Sequence, residues 1–235
     1  MMTSRMTTKG KGVAVRTTAP SNRSRLRRKY ERGRYDKQSL YGILDACLLA
    51  HVGYVLDGAP VVTPTLYWRE GDHIYWHGSS ASRMLRRSAG FEVCLTVSEL
   101  DGLVLARSGM HHSVNYRSAM LFGTAKKVTR RNDKVERMRV FVEQMFPGRW
   151  EQLREINEQE IKATTILGMP IDEAAAKVRA GGPVDDEEDY GHPVWAGVIP
   201  FAPKTPGAPI PDDRQDPDTA LPEHVRRYRV ERTVS

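Results

Sequence analysis

The sequence predicts a mainly β fold, an antiparallel barrel or sandwich with a few peripheral helices. Three observations predict it. Short runs rich in Val, Thr and Tyr follow one another between residues 51 and 128. Turn signals part them at Asp57-Gly58, Glu70-Gly71-Asp72 and Asp101-Gly102. Helical periodicity is confined to a few segments outside those runs.

Asp36 is suited to cap a helix. The apolar residues after it, Leu40, Ile43, Leu44, Cys47 and Leu48, recur at helical spacing and form one core-facing stripe. Residues 51–56 read as a strand, Asp57-Gly58 as a tight turn and residues 59–68 as a second strand. Pro60 and Pro64 make that second strand an edge, a bulge or a bend. Residues 73–77 form a third strand and residues 80–87 a short helix. A fourth strand spans 92–100, where Val93, Leu95 and Val97 alternate. Asp101-Gly102 reads as another tight turn, and 103–107 and 115–128 as further strands around the polar loop 108–113. Residues 134–145 are helical by pattern and end at Pro147-Gly148, and 161–171 read as a last strand.

Charge and composition divide the chain into three. Residues 1–34 carry eleven Lys and Arg against one acid, a net of +10. The whole chain is +7, so the other 201 residues sum to −3. The basic character therefore belongs to an N-terminal arm, expected to be largely disordered, and no aromatic-interleaved motif accompanies it to suggest a nucleic-acid partner. Residues 35–181 form the folded domain. Residues 182–235 hold the acid run Asp185–Asp189, expected to be solvated, and a Pro- and Asp-rich stretch. They read as an extension packing on the body or on a partner subunit, with Trp195 as its anchor. No apolar run is long enough for a transmembrane helix, and the N-terminus lacks the apolar core of a secretory signal. Cys47 and Cys94 read as buried thiols in a reducing compartment, which points to the cytoplasm.

Three segments carry candidate chemistry. Tyr75-Trp76-His77-Gly78-Ser79-Ser80-Ala81-Ser82-Arg83 is a strand end, a glycine, a serine cluster and a helix start. Free amides at a helix start attract an anion, serine hydroxyls add donors and an arginine can grip two phosphate oxygens. Ordinary helix capping explains the same residues equally well. Pro60-Val61-Val62-Thr63-Pro64-Thr65 could expose backbone groups to the polar edge of a planar ligand, or be simply an irregular edge strand. The loop 107–118 is dense in polar groups and suits a site or a subunit interface. Adjacent His111 and His112 point to opposite faces with no acid nearby in sequence, so no metal site is expected. Neither a Ser/His/Asp triad, nor paired catalytic carboxylates, nor a GxGxxG turn stands out, and no catalytic residue is assigned.

On these pieces the chain resembles the FMN-binding split-barrel superfamily, in its pyridoxamine 5′-phosphate oxidase-related branch that includes the nitroimidazole-resistance proteins. The matching pieces are the Tyr35-Asp36 helix start, Gly58 to Pro64, Ile74 to Ser79, Ser82-Arg83, Val93 to Val97 and Asn115 to Ser118 running on to Phe122-Gly123. They occur in family order across roughly residues 30–180. The resemblance implies a six-stranded antiparallel split β-barrel and a homodimer with FMN at the subunit interface. It implies that His77, Gly78, Ser79, Ser82 and Arg83 bind the FMN phosphate region, Arg83 standing where the family usually has lysine. Val62, Thr63, Pro64 and Thr65 would line the isoalloxazine ring, with Tyr116, Arg117 and Ser118 approaching from the interface. The implied function is an FMN-dependent oxidoreductase passing electrons from a reductant such as NAD(P)H to a small planar acceptor. The alternative is a non-catalytic flavin or haem carrier. Haem, or a deazaflavin coenzyme, is the alternative cofactor, since some split-barrel relatives use them. His224-Val225-Arg226-Arg227-Tyr228 is a poor match to the C-terminal substrate signature of true pyridoxamine-phosphate oxidases, so a vitamin B6 substrate is not expected.

Overall fold

The structure is a computed structural model that describes residues 18–202, 206–212, 214–216 and 218–228. Its elements are β1 (Gly33–Arg34), α1 (Lys37–Ala46), β2 (Leu49–Leu56), β3 (Ala59–Glu70), β4 (His73–Ser79), α2 (Arg83–Ser88), β5 (Glu92–Leu105), β6 (Ser113–Thr124), β7 (Lys126–Lys127), α3 (Arg131–Met145), α4 (Glu158–Ala163), β8 (Thr164–Pro170), β9 (Glu173–Arg179), β10 (Gly197–Pro200) and α5 (Glu223–Arg226).

The strands form an antiparallel sheet in the order β1-β9-β6-β5-β2-β3-β4-β8-β7, with β10 paired to β5. The sheet does not close on itself, as a split barrel requires. Among the described residues it has ten strands rather than the expected six. Strand β3 turns the corner. Its first part pairs with β2 from Ala59↔Leu56 to Leu66↔Leu49, and its last four residues pair with β4, from Tyr67↔Trp76 to Glu70↔His73. The bend falls just past Pro60 and Pro64, neither of which has an amide to offer a second neighbour.

One core fills the curve of the sheet. Leu40, Ile43 and Leu44 of α1, Leu85 of α2, and Val52, Trp76, Leu95, Leu121 and Met169 of the strands belong to it. The α1 start is as read, since the Asp36 carboxylate accepts from the Ser39 amide at 2.8 Å. Asp57 and Gly58 both adopt positive φ, 51° and 82°, which a tight hairpin turn between β2 and β3 demands.

Four expectations need correction. Asp101-Gly102 is no turn: β5 runs straight through it, and the register against β6 slips between Leu100 and Gly102, leaving a bulge. The helix expected at 80–87 begins at Arg83, because Ser79 to Ser82 close a turn of their own through Ser82 N donating to Ser79 O. Within 161–171 the first residues end α4 before the chain extends, and a further strand, β9, follows it. The acid run is not simply solvated. The Asp185 side chain is wholly buried, accepting from the Arg107 amide and guanidinium, both at 3.0 Å.

The two ends of the chain also bind the body. The first residues of the basic arm, 1–17, lie outside the described residues. Arg23, further along it, bridges Glu92 and Glu173 and covers the Phe122 ring, and β1 pairs with β9. At the other end β10 adds to β5 and the Phe201 amide donates to Asp101 O. Trp195, expected as the anchor, is 64% exposed and folds over Gly197 instead. Among the described residues no helix is long and apolar enough to cross a membrane.

Candidate functional site

Past the Tyr67–Trp76 pair, β3 and β4 part. From there back to Ala59, β3 pairs only with β2 among the described residues, so its other edge faces a gap. On one bank lie Val62, Thr63, Pro64 and Thr65. On the other lie His77, Gly78 and Ser79, followed by the turn to Ser82 and Arg83. Two of the three segments singled out in the sequence thus flank one opening.

The β3 bank is two-faced. Val62 and Pro64 point outward with Leu66 and are exposed, whereas Thr63 and Thr65 lie half-buried on the side of Val52 and Ala50. The open edge presents backbone donors and acceptors next to an exposed apolar strip, which is what a planar heteroaromatic ligand needs.

The β4 bank is split by strand alternation. A Cβ on Gly78 would lie 2.9 Å from Leu85 Cδ1, so this glycine faces α2 and the core. His77 therefore projects to the opposite side, toward α3. Its ring meets Phe141 edge-on at 4.8 Å and lies 5.9 Å from Trp68. Its Nδ1 is buried without a hydrogen-bond partner among the described residues, and burial pushes the imidazole pKa below its ordinary value. A neutral ring on the α3 side makes a poor phosphate ligand.

The turn between β4 and α2 consumes part of its own donor set. Ser80 N donates to Ala163 O at 2.6 Å, Ala81 N to Ser79 Oγ at 3.2 Å and Ser82 N to Ser79 O at 2.8 Å. The first intrahelical bond of α2 runs from Arg86 N to Ser82 O. The amides of Arg83 and Leu85 precede it and have no intrahelical acceptor. The Ser82 side chain makes no capping bond, and Arg83 is exposed beside it. Ser82 and Arg83 are thus free for an anion, while Ser79 is engaged in the turn.

The third segment lies elsewhere. Strand β6 is separated from β3 by β5 and β2, about 14 Å along a sheet whose strands repeat every ~4.8 Å. Tyr116 and Ser118 face outward opposite Leu100 and Ser98, and Ser118 Oγ donates to Lys177 O at 3.3 Å. Arg117 turns inward and grips Asp101 through Nε and Nη2, at 2.9 Å and 2.7 Å. A single chain does not bring these three residues to the gap.

Sequence reasoning missed the aromatic layer beneath α3. Trp68 stacks on Tyr75 and tilts against Phe141, and Arg137 lies over Tyr75 while pairing with Glu70. The alternation of Tyr75 and His77 with buried Ile74 and Trp76 was the available signal. Beside this layer a cavity of about 400 Å³ is walled by Met138, Leu153, Ile156, Ile161 and Ile166, with Lys134 at its rim. Its Ile166 is the register partner of His77.

Residues 36–178 match the family model described as pyridoxamine 5′-phosphate oxidase. Among solved structures, the flavocytochrome Anf3 from Azotobacter vinelandii is 48% identical with a TM-score of 0.87, over 90% of this chain and 99% of that one. The FAD and heme binding protein from Mycobacterium smegmatis is 36% identical with a TM-score of 0.79, over 83% of this chain and 96% of that one. A candidate 5-nitroimidazole antibiotic resistance protein from Bacteroides thetaiotaomicron, at 23% identity and a TM-score of 0.51 over 62% of this chain and 86% of that one, shares the fold. Comparison with curated proteins returns no significant match.

Proposed function

Because the chain belongs to the pyridoxamine 5′-phosphate oxidase family, we propose that it is a flavin-dependent redox protein, taking electrons from a reductant such as NAD(P)H and passing them to a small planar acceptor. The observation that carries this reading is the gap between β3 and β4, open-edged on one bank and bearing Ser82 and Arg83 on the other. The flavin supplies the electron-transfer chemistry. The open edge at Val62–Thr65 reads the polar rim of the ring system, Val62 and Pro64 supply a wall, and Ser82 with Arg83 holds the phosphate. The ligand is a flavin nucleotide, either FMN or the FMN half of FAD, as the M. smegmatis relative's name suggests.

The site is completed by a second copy. Leu49, Val55, Val62, Leu66, Leu100 and Met120 crowd the outer face of β2, β3, β5 and β6, with Val55 65% and Val62 63% exposed. A homodimer through this face covers them and carries Tyr116 and Ser118 of one copy toward the β3 bank of the other.

One observation favours a second cofactor. His77 is an imidazole beside Trp68 and Phe141 with a buried nitrogen that has no hydrogen-bond partner among the described residues. The two most similar structures described above are named for both a flavin and a haem function. In this reading His77 is the haem ligand and haem supplies one-electron chemistry. The absorbance spectrum of the purified protein, followed by chromatography of the released cofactors, tests both parts. Flavin bands with a released flavin nucleotide support the first part. A Soret band lost in His77→Ala with the flavin retained supports the second, and a colourless protein that takes up no added flavin overturns the reading.

A further inference from the structure

Two segments far apart in sequence meet beside β10. In the 107–113 loop, His111 N donates to Ser108 O at 3.1 Å, which turns the His111 side chain toward the acid run. Its Nδ1 lies 3.6 Å from Oδ1 of buried Asp185, and its Nε2 lies 4.0 Å from Oδ2 of Asp186. One ligand atom each from His111, Asp186 and Asp189 fall within 4.8 Å of one another.

We propose that His111, Asp186 and Asp189 form a binding site for a divalent transition-metal ion of the zinc class. The arrangement has two shells. Asp185 is fixed by the Arg107 amide and guanidinium with its Oδ1 3.6 Å from Nδ1 of His111, so a small approach of the ring would let it accept the Nδ1 proton. A carboxylate on one ring nitrogen orients the other toward a metal and raises its basicity. Nε2 then faces Asp186 and Asp189. One imidazole and two carboxylates are the donor types zinc accepts, at about 2.0–2.2 Å each with water in the fourth position.

Charge points the same way. The run Asp185–Asp189 contributes five negative charges. Arg107 is committed to Asp185 and to the face of the Tyr190 ring at 4.9 Å. Among the described residues, no Lys or Arg forms an ion pair with Asp186 or Asp189. Hard oxygen-only cations are less suited, because one of the three donors is an imidazole nitrogen and calcium takes six to eight oxygens. The ion would tie the 107–113 loop to the segment that continues into β10, pinning that strand on β5.

The test is a calorimetric titration of the purified full-length protein, dialysed against chelator, with zinc chloride and with calcium chloride. The expected result is one zinc ion per chain, calcium binding far more weakly, and an affinity that falls by at least roughly tenfold in His111→Ala and in Asp186→Asn. His112→Ala and His192→Ala are the controls and should bind as the parent does. Zinc should also slow proteolysis within residues 185–200 in the parent and not in Asp186→Asn. That variant changes an exposed side chain, so it remains informative if His111→Ala does not fold. No zinc binding, or affinity unchanged in Asp186→Asn, overturns the site and leaves His111 as a simple charge partner of the acid run.

Discussion

Gly78 and Leu85 are packed so closely that a Cβ on the glycine would lie 2.9 Å from the leucine Cδ1. The glycine at the end of β4 is thus there for α2, whose Leu85 is 1% exposed and has little room to yield. Gly78→Ala should lower stability by about 1–2 kcal/mol through overpacking. Thermal denaturation checks this, and Leu85→Ala in the same chain should absorb most of the added cost. A variant of unchanged stability with weakened flavin binding would instead put Gly78 against the cofactor.

Arg83 is the exposed cation at the α2 start, next to a serine with no capping bond. If it holds the flavin phosphate, Arg83→Ala should weaken FMN binding by about ten- to hundred-fold, the worth of a charge-assisted bidentate contact. Arg83→Lys should recover part of that, since the charge stays and the fork is lost. Riboflavin binding should barely change. Arg86→Ala and Arg87→Ala serve as controls, and fluorescence quenching titrations with both ligands read the difference. Equal losses for FMN and riboflavin would assign Arg83 to the fold.

The fold was legible where a local signal and burial agree. Asp36 followed by Leu40, Ile43 and Leu44 marks α1 because the cap and the apolar stripe serve the same helix. Asp57-Gly58 marks a hairpin because both residues take positive φ. Asp101-Gly102 carries the same dipeptide signal but became a bulge, since pairing with β6 on both sides outweighs the local turn preference. Strand β9 was invisible because Ala174, Ala175 and Ala176 have helix-favouring side chains, and only burial against β6 selects the extended form. The site followed the same logic. Residues 62–65 and 78–83 could be grouped from sequence, but the alternation that turns His77 away from Gly78 needed the strand direction. The meeting of His111 with residues 185–189 depends on tertiary closure alone.

His77 should make the protein sensitive to acid. Burial lowers its pKa in the folded state below the ordinary 6.5. The unfolded chain then binds the proton first, so stability is full above about 6.5 and declines as pH falls from there toward the folded value. His77→Phe removes the proton and keeps the aromatic contact with Phe141. Its stability should therefore change less than the parent's between pH 7 and pH 5. Urea denaturation across that range measures the slope, and an unchanged slope would trace the acid loss to another group.

The exposed strip on β2, β3, β5 and β6 predicts the state of assembly. Val55→Lys with Met120→Lys places charge in the face proposed to pair, and each residue is exposed in the single chain, so the fold should survive. Light scattering should find a dimer in the parent and a monomer in the double variant. Flavin affinity should fall as dimerisation is lost if Tyr116 and Ser118 act across the interface. A monomeric parent with full flavin affinity would show that one chain makes the whole site.

Arg117 separates a structural from a ligand-facing role most sharply. Its guanidinium grips Asp101 across the β5 bulge, and that hydrogen bonding is the main reason its pKa is raised. Both side chains are partly buried, at 24% and 33% exposure, so the pair is screened but not fully solvated. Arg117→Ala and Asp101→Ala should each destabilise, and the double variant should lose less than their sum, with a coupling of about 1 kcal/mol. Flavin affinity should be unchanged in all three once measured on folded protein. The reason is geometric: a guanidinium held by a carboxylate on its own sheet, three strands from β3, is not available to an anion at the gap. If Arg117→Ala weakens FMN binding while Asp101→Ala leaves it intact, the arginine leaves its partner in the loaded state and reaches the flavin. If both variants are as stable as the parent, the pair contributes nothing and the bulge is held by the β5–β6 backbone alone.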